Sequence, residues 1–275
     1  MIAGRAAGRE AAREGGPVRY RARVEYDGTC FDGFQVQPGR RTVQGELEAA
    51  LARLSDGRRV RVVAAGRTDA GVHASGQVIA FAYPGRLPAG ELEQALAAIL
   101  PADVGIRGVR RASPRFHPRY AARYREYRYT VWNGPRSPLR ERFALGVRDP
   151  LHVAAMTEAA RALVGRHDFS AFGAAERQPI RTLLWVRIRR TGHRVTIDVA
   201  ADAFLRQMVR SIVAALLLVG HGQVAAGEVA AALGSRDRAF DGAVAPPQGL
   251  CLRRVVYDGG PARRTEKDDD EDVFA

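Results

Sequence analysis

The chain has 275 residues, 46% of them hydrophobic, with 43 Lys+Arg against 30 Asp+Glu, six His and two Cys. That composition can bury a core and excludes disorder throughout, and two cysteines, Cys30 and Cys251, exclude a disulfide framework and offer no paired zinc-ligand spacing. The net charge of +13 is carried by the body: residues 1–17 hold +1, residues 259–275 hold −3 and residues 18–258 hold +15.

Residues 1–17 are small and polar with no apolar stretch, which predicts a flexible tail and no secretory signal. Val18, Tyr20, Ala22, Val24 and Tyr26 alternate with Arg19, Arg21, Arg23 and Glu25, the pattern of a half-buried strand. Asp27-Gly28 turns the chain. Val43, Leu47, Leu51 and Leu54 mark one helix face, with Thr42 as N-cap. Residues 60–65 and 77–83 read as strands. Leu92, Leu96 and Ile99 mark a second helix stopped by Pro101, and residues 104–109 read as a strand.

The same order then recurs. Residues 124–132 are aromatic and β-branched, hence a strand. Asp149-Pro150 predicts an N-cap and first-turn proline for a helix through Val153, Met156, Ala160 and Leu163, ended by Gly165. Residues 182–188 and 195–199 alternate around a turn at Thr191-Gly192-His193. A helix is expected from about Leu205 to Val219, a short one near residues 228–233, and a last strand over residues 249–257. Each half therefore reads β-α-β-β-α-β. The expected architecture is α+β, two fused ferredoxin-like halves (18–113 and 114–258) in a mostly antiparallel sheet with helices on one face. The other face would then be free to line a central basic cleft. Lys267 to Asp272, within residues 259–275, reads as a disordered acidic tail. The longest apolar run, Ile212 to Val219, is eight residues, far below the roughly 20 of a membrane span. A cytoplasmic location is expected.

Three regions carry chemistry. Residues 65–77 hold three Gly and set one acid, Asp69, two residues from Arg67. The plain reading is a tight turn in which Asp69 bonds its own backbone. The loop is longer than a hairpin needs, however, and it puts an acid inside a basic body. Such a carboxylate can act as a nucleophile at a sugar carbon. Residues 107–148 hold 12 Arg and two acids, a local +10, interleaved with Phe116, Tyr120, Tyr124, Tyr127, Tyr129 and Trp132. Arg neutralises phosphate and aromatic rings stack on exposed bases; a strand with a core-packed Tyr face and a solvated Arg face is the plainer alternative. Arg206 and Arg210 are four apart at the start of an otherwise apolar helix. An Arg buried there needs an anion, either Asp69 or Asp202. The six His are scattered without metal-ligand spacing.

Gly66-Arg67-Thr68-Asp69-Ala70-Gly71-Val72-His73-Ala74 resembles the signature of the tRNA pseudouridine synthase A family. Tyr26-Asp27-Gly28, Phe116-His117 through Tyr120 followed by Tyr124-Arg125-Glu126-Tyr127-Arg128-Tyr129, Asp168-Phe169-Ser170-Ala171-Phe172, Ala203-Phe204-Leu205 through Arg210, and Gly249-Leu250-Cys251-Leu252 resemble further family blocks in the right order. Phe34 stands where the family has Trp, and Pro118 where Ala is common. The resemblance implies an isomerase without cofactor or metal, converting uridine to pseudouridine at positions 38, 39 and 40 of the tRNA anticodon stem-loop. It implies a homodimer, one tRNA contacting both subunits, and no membrane. Asp69 would be the catalytic nucleophile. Tyr127 would stack on the target base and help remove its C5 proton, and Arg67 and Arg210 would serve base flipping and carboxylate pairing. The alternatives are a non-catalytic RNA-binding protein on a similar sheet and a glycoside hydrolase, which ordinarily needs two carboxylates.

Overall fold

The computed structural model describes residues 16–257 except 234 and 236–238; both expected tails otherwise lie outside the described residues. Ten strands form one sheet: β1 (Val18–Tyr26), β2 (Val63–Ala64), β3 (His73–Tyr83), β4 (Val104–Arg111), β5 (Ala122–Asn133), β6 (Leu145–Val147), β7 (Gly165–Asp168), β8 (Ile180–Thr191), β9 (Arg194–Ala201) and β10 (Leu250–Tyr257). The helices are α1 (Val43–Arg53), α2 (Ala89–Ile99), α3 (Val153–Arg161), α4 (Met208–Gly220) and α5 (Ala226–Ala232). The strand order is β4-β1-β3-β10-β5-β9-β8-β7, with β2 on β3 and β6 on β5. All pairings are antiparallel except β3–β10 and β5–β6.

Alternation sets the two faces. Tyr20, Ala22, Val24 and Tyr26 of β1, and Tyr127, Tyr129 and Val131 of β5, join Leu47, Leu92, Met156 and Ile212 of the helices in one core. The opposite face carries Arg19, Arg21 and Arg23, and a small cluster of Tyr124, Ala200 and Val256 with Trp185 against it. On that face Arg128 and Asp198, directly opposite each other in register, form a buried ion pair at 2.7 Å.

Thr42 caps α1 as expected, its Oγ1 accepting from the Gly45 N–H at 3.3 Å. Other boundaries moved for local reasons. Of residues 60–65 only Val63 and Ala64 form a strand, opposite Ala80 and Ile79, while β10 pairs with His73 and Ala74 at the other end of β3. Strand β3 thus forks between β2 and β10. Asp149-Pro150 does not cap α3, whose N-cap is His152. Leu151 is buried, and its N–H is held by Asn133 Oδ1 at 3.3 Å, which stitches this segment to the end of β5 before the helix begins. Helix α3 ends at Arg161, and Gly165 opens β7 instead. Gln207 takes a left-handed φ of 65°, so α4 starts at Met208 and Arg206 is outside it. Arg206 and Arg210 therefore do not share a helix face. Among the described residues, no helix is long and apolar enough to cross a membrane.

Candidate active site

The Asp69 loop leaves β2 and enters β3 at the fork, and its flanks are fastened. The Ala65 N–H donates to Val78 O at 2.8 Å, and Gln77 Nε2 donates to Gly66 O at 2.9 Å. The Phe34 N–H donates to Thr68 O at 3.1 Å, and the Gly71 N–H to Phe31 O at 3.2 Å. The Thr68 hydroxyl and Tyr26 OH are 2.8 Å apart. Two glycines outside the loop let it sit this close. A Cβ at Gly28 would lie 2.1 Å from Val72 O; one at Gly33, where φ is +88°, would lie 2.9 Å from Thr68 O. Phe34 is buried and packs its ring against Tyr26, 6.2 Å between centroids, a setting that explains an aromatic there.

Within this clamp the Asp69 side chain accepts no hydrogen bond from its own loop, against the plain turn reading. Its main-chain oxygen accepts from the Val72 N–H at 3.2 Å, and its carboxylate faces Arg210 Nη1 at 3.7 Å. Arg210 is fixed from α4: its Nε donates to Ala245 O at 2.6 Å, and the Ala245 N–H donates back to its carbonyl at 3.1 Å. The expected anion partner of Arg210 is thus Asp69. At 3.7 Å the pair is an ion pair and not a hydrogen bond, which leaves the carboxylate oxygens open to another partner. Arg67 is exposed and pairs with neither group.

Tyr127 projects from β5 toward the same loop: a Cβ at Gly66 would lie 3.9 Å from its hydroxyl. Its ring meets Phe204 edge-on, 5.1 Å between centroids. Burial pushes its phenol far above the usual tyrosine range; Arg125 opposes this and the Asp69 charge adds to it. Tyr127 shares its face with Tyr129 and Val131, so the site opens on the helix-bearing side. This corrects the expectation that the helix-free face lines the cleft. Asp69, Arg210 and Tyr127 converge only because alternation turns Tyr127 toward α4.

Sequence reasoning missed several supports. Buried Arg125 donates to Ala65 O at 3.0 Å, Arg119 O at 2.5 Å and Asp202 O at 2.6 Å. Its position, two residues before Tyr127 and on the same face, was the available signal. Of the 12 Arg read together as polyanion-facing, Arg125 and Arg128 are therefore spent inside the fold, and Arg136 and Arg142 pair with Glu141 and Asp27. His73, just after the loop, accepts from the Gly28 N–H through Nδ1 at 2.9 Å. Its Nε2 faces Arg142 O and Gln248 O at 3.1 and 3.2 Å. That pattern belongs to a neutral imidazole protonated at Nε2, although Asp27 Oδ1 lies 3.2 Å from Nδ1.

Burial pushes the His73 imidazole below its ordinary value, with Asp27 acting the other way. An unfolded histidine titrates near ~6.5, so below that pH the unfolded chain takes up a proton that the folded chain resists. Folding stability contributed by His73 is therefore expected to fall as pH drops below ~6.5. Urea midpoints of wild type and His73→Asn should converge as pH falls from about 7.5 to about 5.5. A gap that stays constant would show that His73 is not buried as a neutral ring.

Fold and site together define a chain that holds one carboxylate, one guanidinium and one phenol at the centre of a mostly antiparallel sheet. Residues 22–121 and 159–258 match the family model described as tRNA pseudouridine synthase. A protein of Geobacillus kaustophilus named tRNA pseudouridine synthase A is 41% identical over 244 residues, covering 87% of this chain and 95% of the relative. Proteins of the same name from Methylococcus capsulatus and Myxococcus xanthus are 45% and 44% identical, covering 85% and 90% of this chain and 88% and 95% of theirs. The chain belongs to the tRNA pseudouridine synthase family. It is an isomerase that converts uridine to pseudouridine in tRNA.

Proposed function

We propose that the protein modifies uridines 38, 39 and 40 of the tRNA anticodon stem-loop, with Asp69 as the group that acts on the ribose. The observation that carries this reading is the meeting of an unclaimed carboxylate, its Arg210 counter-ion and the Tyr127 phenol across the sheet. The target nucleotide must leave its stack, at a cost of a few kcal/mol; Arg67, exposed at the loop, takes the space it leaves. Asp69 then attacks C1′, or takes the C2′ proton to give a glycal; either route breaks the N1–C1′ bond. The uracil turns against the Tyr127 ring, and C5 bonds C1′ as the Asp69–C1′ ester bond breaks or, on the glycal route, as Asp69 returns the proton to C2′; the C5 proton is then lost while N1 gains one. Atoms balance without a co-reactant, because the product is an isomer.

Burial and the Asp69 charge keep the Tyr127 phenol protonated, with Arg125 opposing them. The cleft draws Asp69 from the half spanning 18–113 and Tyr127 and Arg210 from the half spanning 114–258. A homodimer, one tRNA across both subunits and a cytoplasmic location complete the reading, on the strength of family membership. The test is to treat unmodified tRNA transcripts with the protein and map pseudouridine by carbodiimide chemistry. Conversion at 38–40 is expected; free uracil would favour the hydrolase, and conversion elsewhere only would overturn the assigned positions.

A further inference from the structure

Tyr120 is 78% exposed. A lone exposed aromatic is ordinarily unremarkable, but this one is held in an unusual way. Its ring lies nearly flat on His117, 4.3 Å between centroids and 29° between planes. His117 Nδ1 accepts from the N–H groups of Arg119 and Tyr120 at 3.3 and 3.4 Å, and its carbonyl accepts from the Ala121 N–H at 3.0 Å. The turn is anchored from below, where Tyr257 OH donates to Pro118 O at 2.9 Å. Pro118, a departure from the family pattern, is buried there. One face of Tyr120 is thus backed by a fixed ring, and its other face is left to solvent.

Its place in the fold matters as much. The Nη2 of Arg125 bonds both Arg119 O, one residue before Tyr120, and Ala65 O, one residue before Gly66. The turn is therefore tied to the foot of the Asp69 loop. Arg67, Arg115 and Arg119 are exposed and make no ion pair among the described residues, and no acid occurs between Asp103 and Glu126. An aromatic face beside unpaired guanidinium groups fits an unstacked base on a phosphate backbone.

We infer that the Tyr120–His117 pair is a stacking platform for a second nucleobase of the RNA, outside the Asp69 site and adjacent to the extruded uridine. This deepens the proposed reading and rests on it, since it takes the Asp69 loop as the place where the uridine enters. The ring acts in binding and takes no part in bond breaking.

The test compares Tyr120→Ala and Tyr120→Phe with wild type. Filter binding measures affinity for an unmodified tRNA transcript, and single-turnover assays measure pseudouridine formation at saturating enzyme. Tyr120→Ala should weaken binding about tenfold, with the saturated rate within about twofold of wild type and an unchanged melting temperature. Tyr120→Phe should bind as wild type does. The plot of log affinity against log salt should shift in parallel for Tyr120→Ala, because stacking releases no counterions. It should flatten for Arg119→Ala by about 0.7 for each phosphate left without its guanidinium. Wild-type affinity in Tyr120→Ala, an equal loss in Tyr120→Phe, or an abolished saturated rate at normal affinity would each overturn the platform. Binding is read without turnover, so a wild-type protein that binds tRNA but forms no pseudouridine would defeat the assigned activity and still leave the platform to be decided.

Discussion

Asp69→Asn is expected to lower pseudouridine formation by about 10³-fold or more while leaving tRNA affinity within about threefold of wild type. The substitution keeps the shape of the side chain in a loop whose flanks are fixed by Tyr26, Phe34 and Gln77, so the clamp should not relax. What changes is chemistry. An amide neither attacks C1′ nor takes a proton from C2′, and it offers Arg210 no charge. Affinity should survive because the exposed arginines available to phosphate do not depend on Asp69. Single-turnover assays on an unmodified transcript give the rate, and filter binding gives the affinity. A rate within tenfold of wild type would remove Asp69 from the chemistry. Loss of rate and affinity together would mean that the loop is a binding element, as in the non-catalytic alternative.

Much of this site was legible because charge stood out against its background. One acid among glycines stood out in a basic body, as did Arg206 and Arg210 at the start of an apolar helix; of the two anions weighed for that helix, Asp69 is the one that pairs with Arg210. Tyr127 was legible only through family resemblance. Alternation gives its face, but nothing local says which face meets the loop; that is decided by where α4 packs. Arg125, His73 and Phe204 stayed hidden because their meaning is set by distant chain. Arg125 bonds a carbonyl 60 positions away, and His73 one 175 positions away. The long alternating strands β1, β8 and β9 could be read from sequence, since a one-residue slip would turn every apolar side chain outward. Residues 60–65 read as a strand, but its extent was not legible: only Val63 and Ala64 lie in β2, opposite Ala80 and Ile79 of β3.

The largest expected effect on folding is at Asp198, not at the site. Asp198 and Arg128 face each other across β9 and β5, joined by two hydrogen bonds at 2.7 and 3.1 Å, with side-chain exposures of 5% and 9%. Asp198→Ala takes the carboxylate from a buried ion pair, and breaking such a pair from one side costs about 3–5 kcal/mol. Arg128→Met combined with Asp198→Leu removes both charges at similar volume and should recover most of the stability. Urea unfolding of the single and double variants checks this. A single variant that loses less than about 1 kcal/mol, or a double variant no better than the single, would mean that water reaches the pair. Arg128 is the residue next to Tyr127 but points to the other face. The double variant should therefore keep its saturated turnover rate, separating the strand as scaffold from the strand as carrier of the phenol.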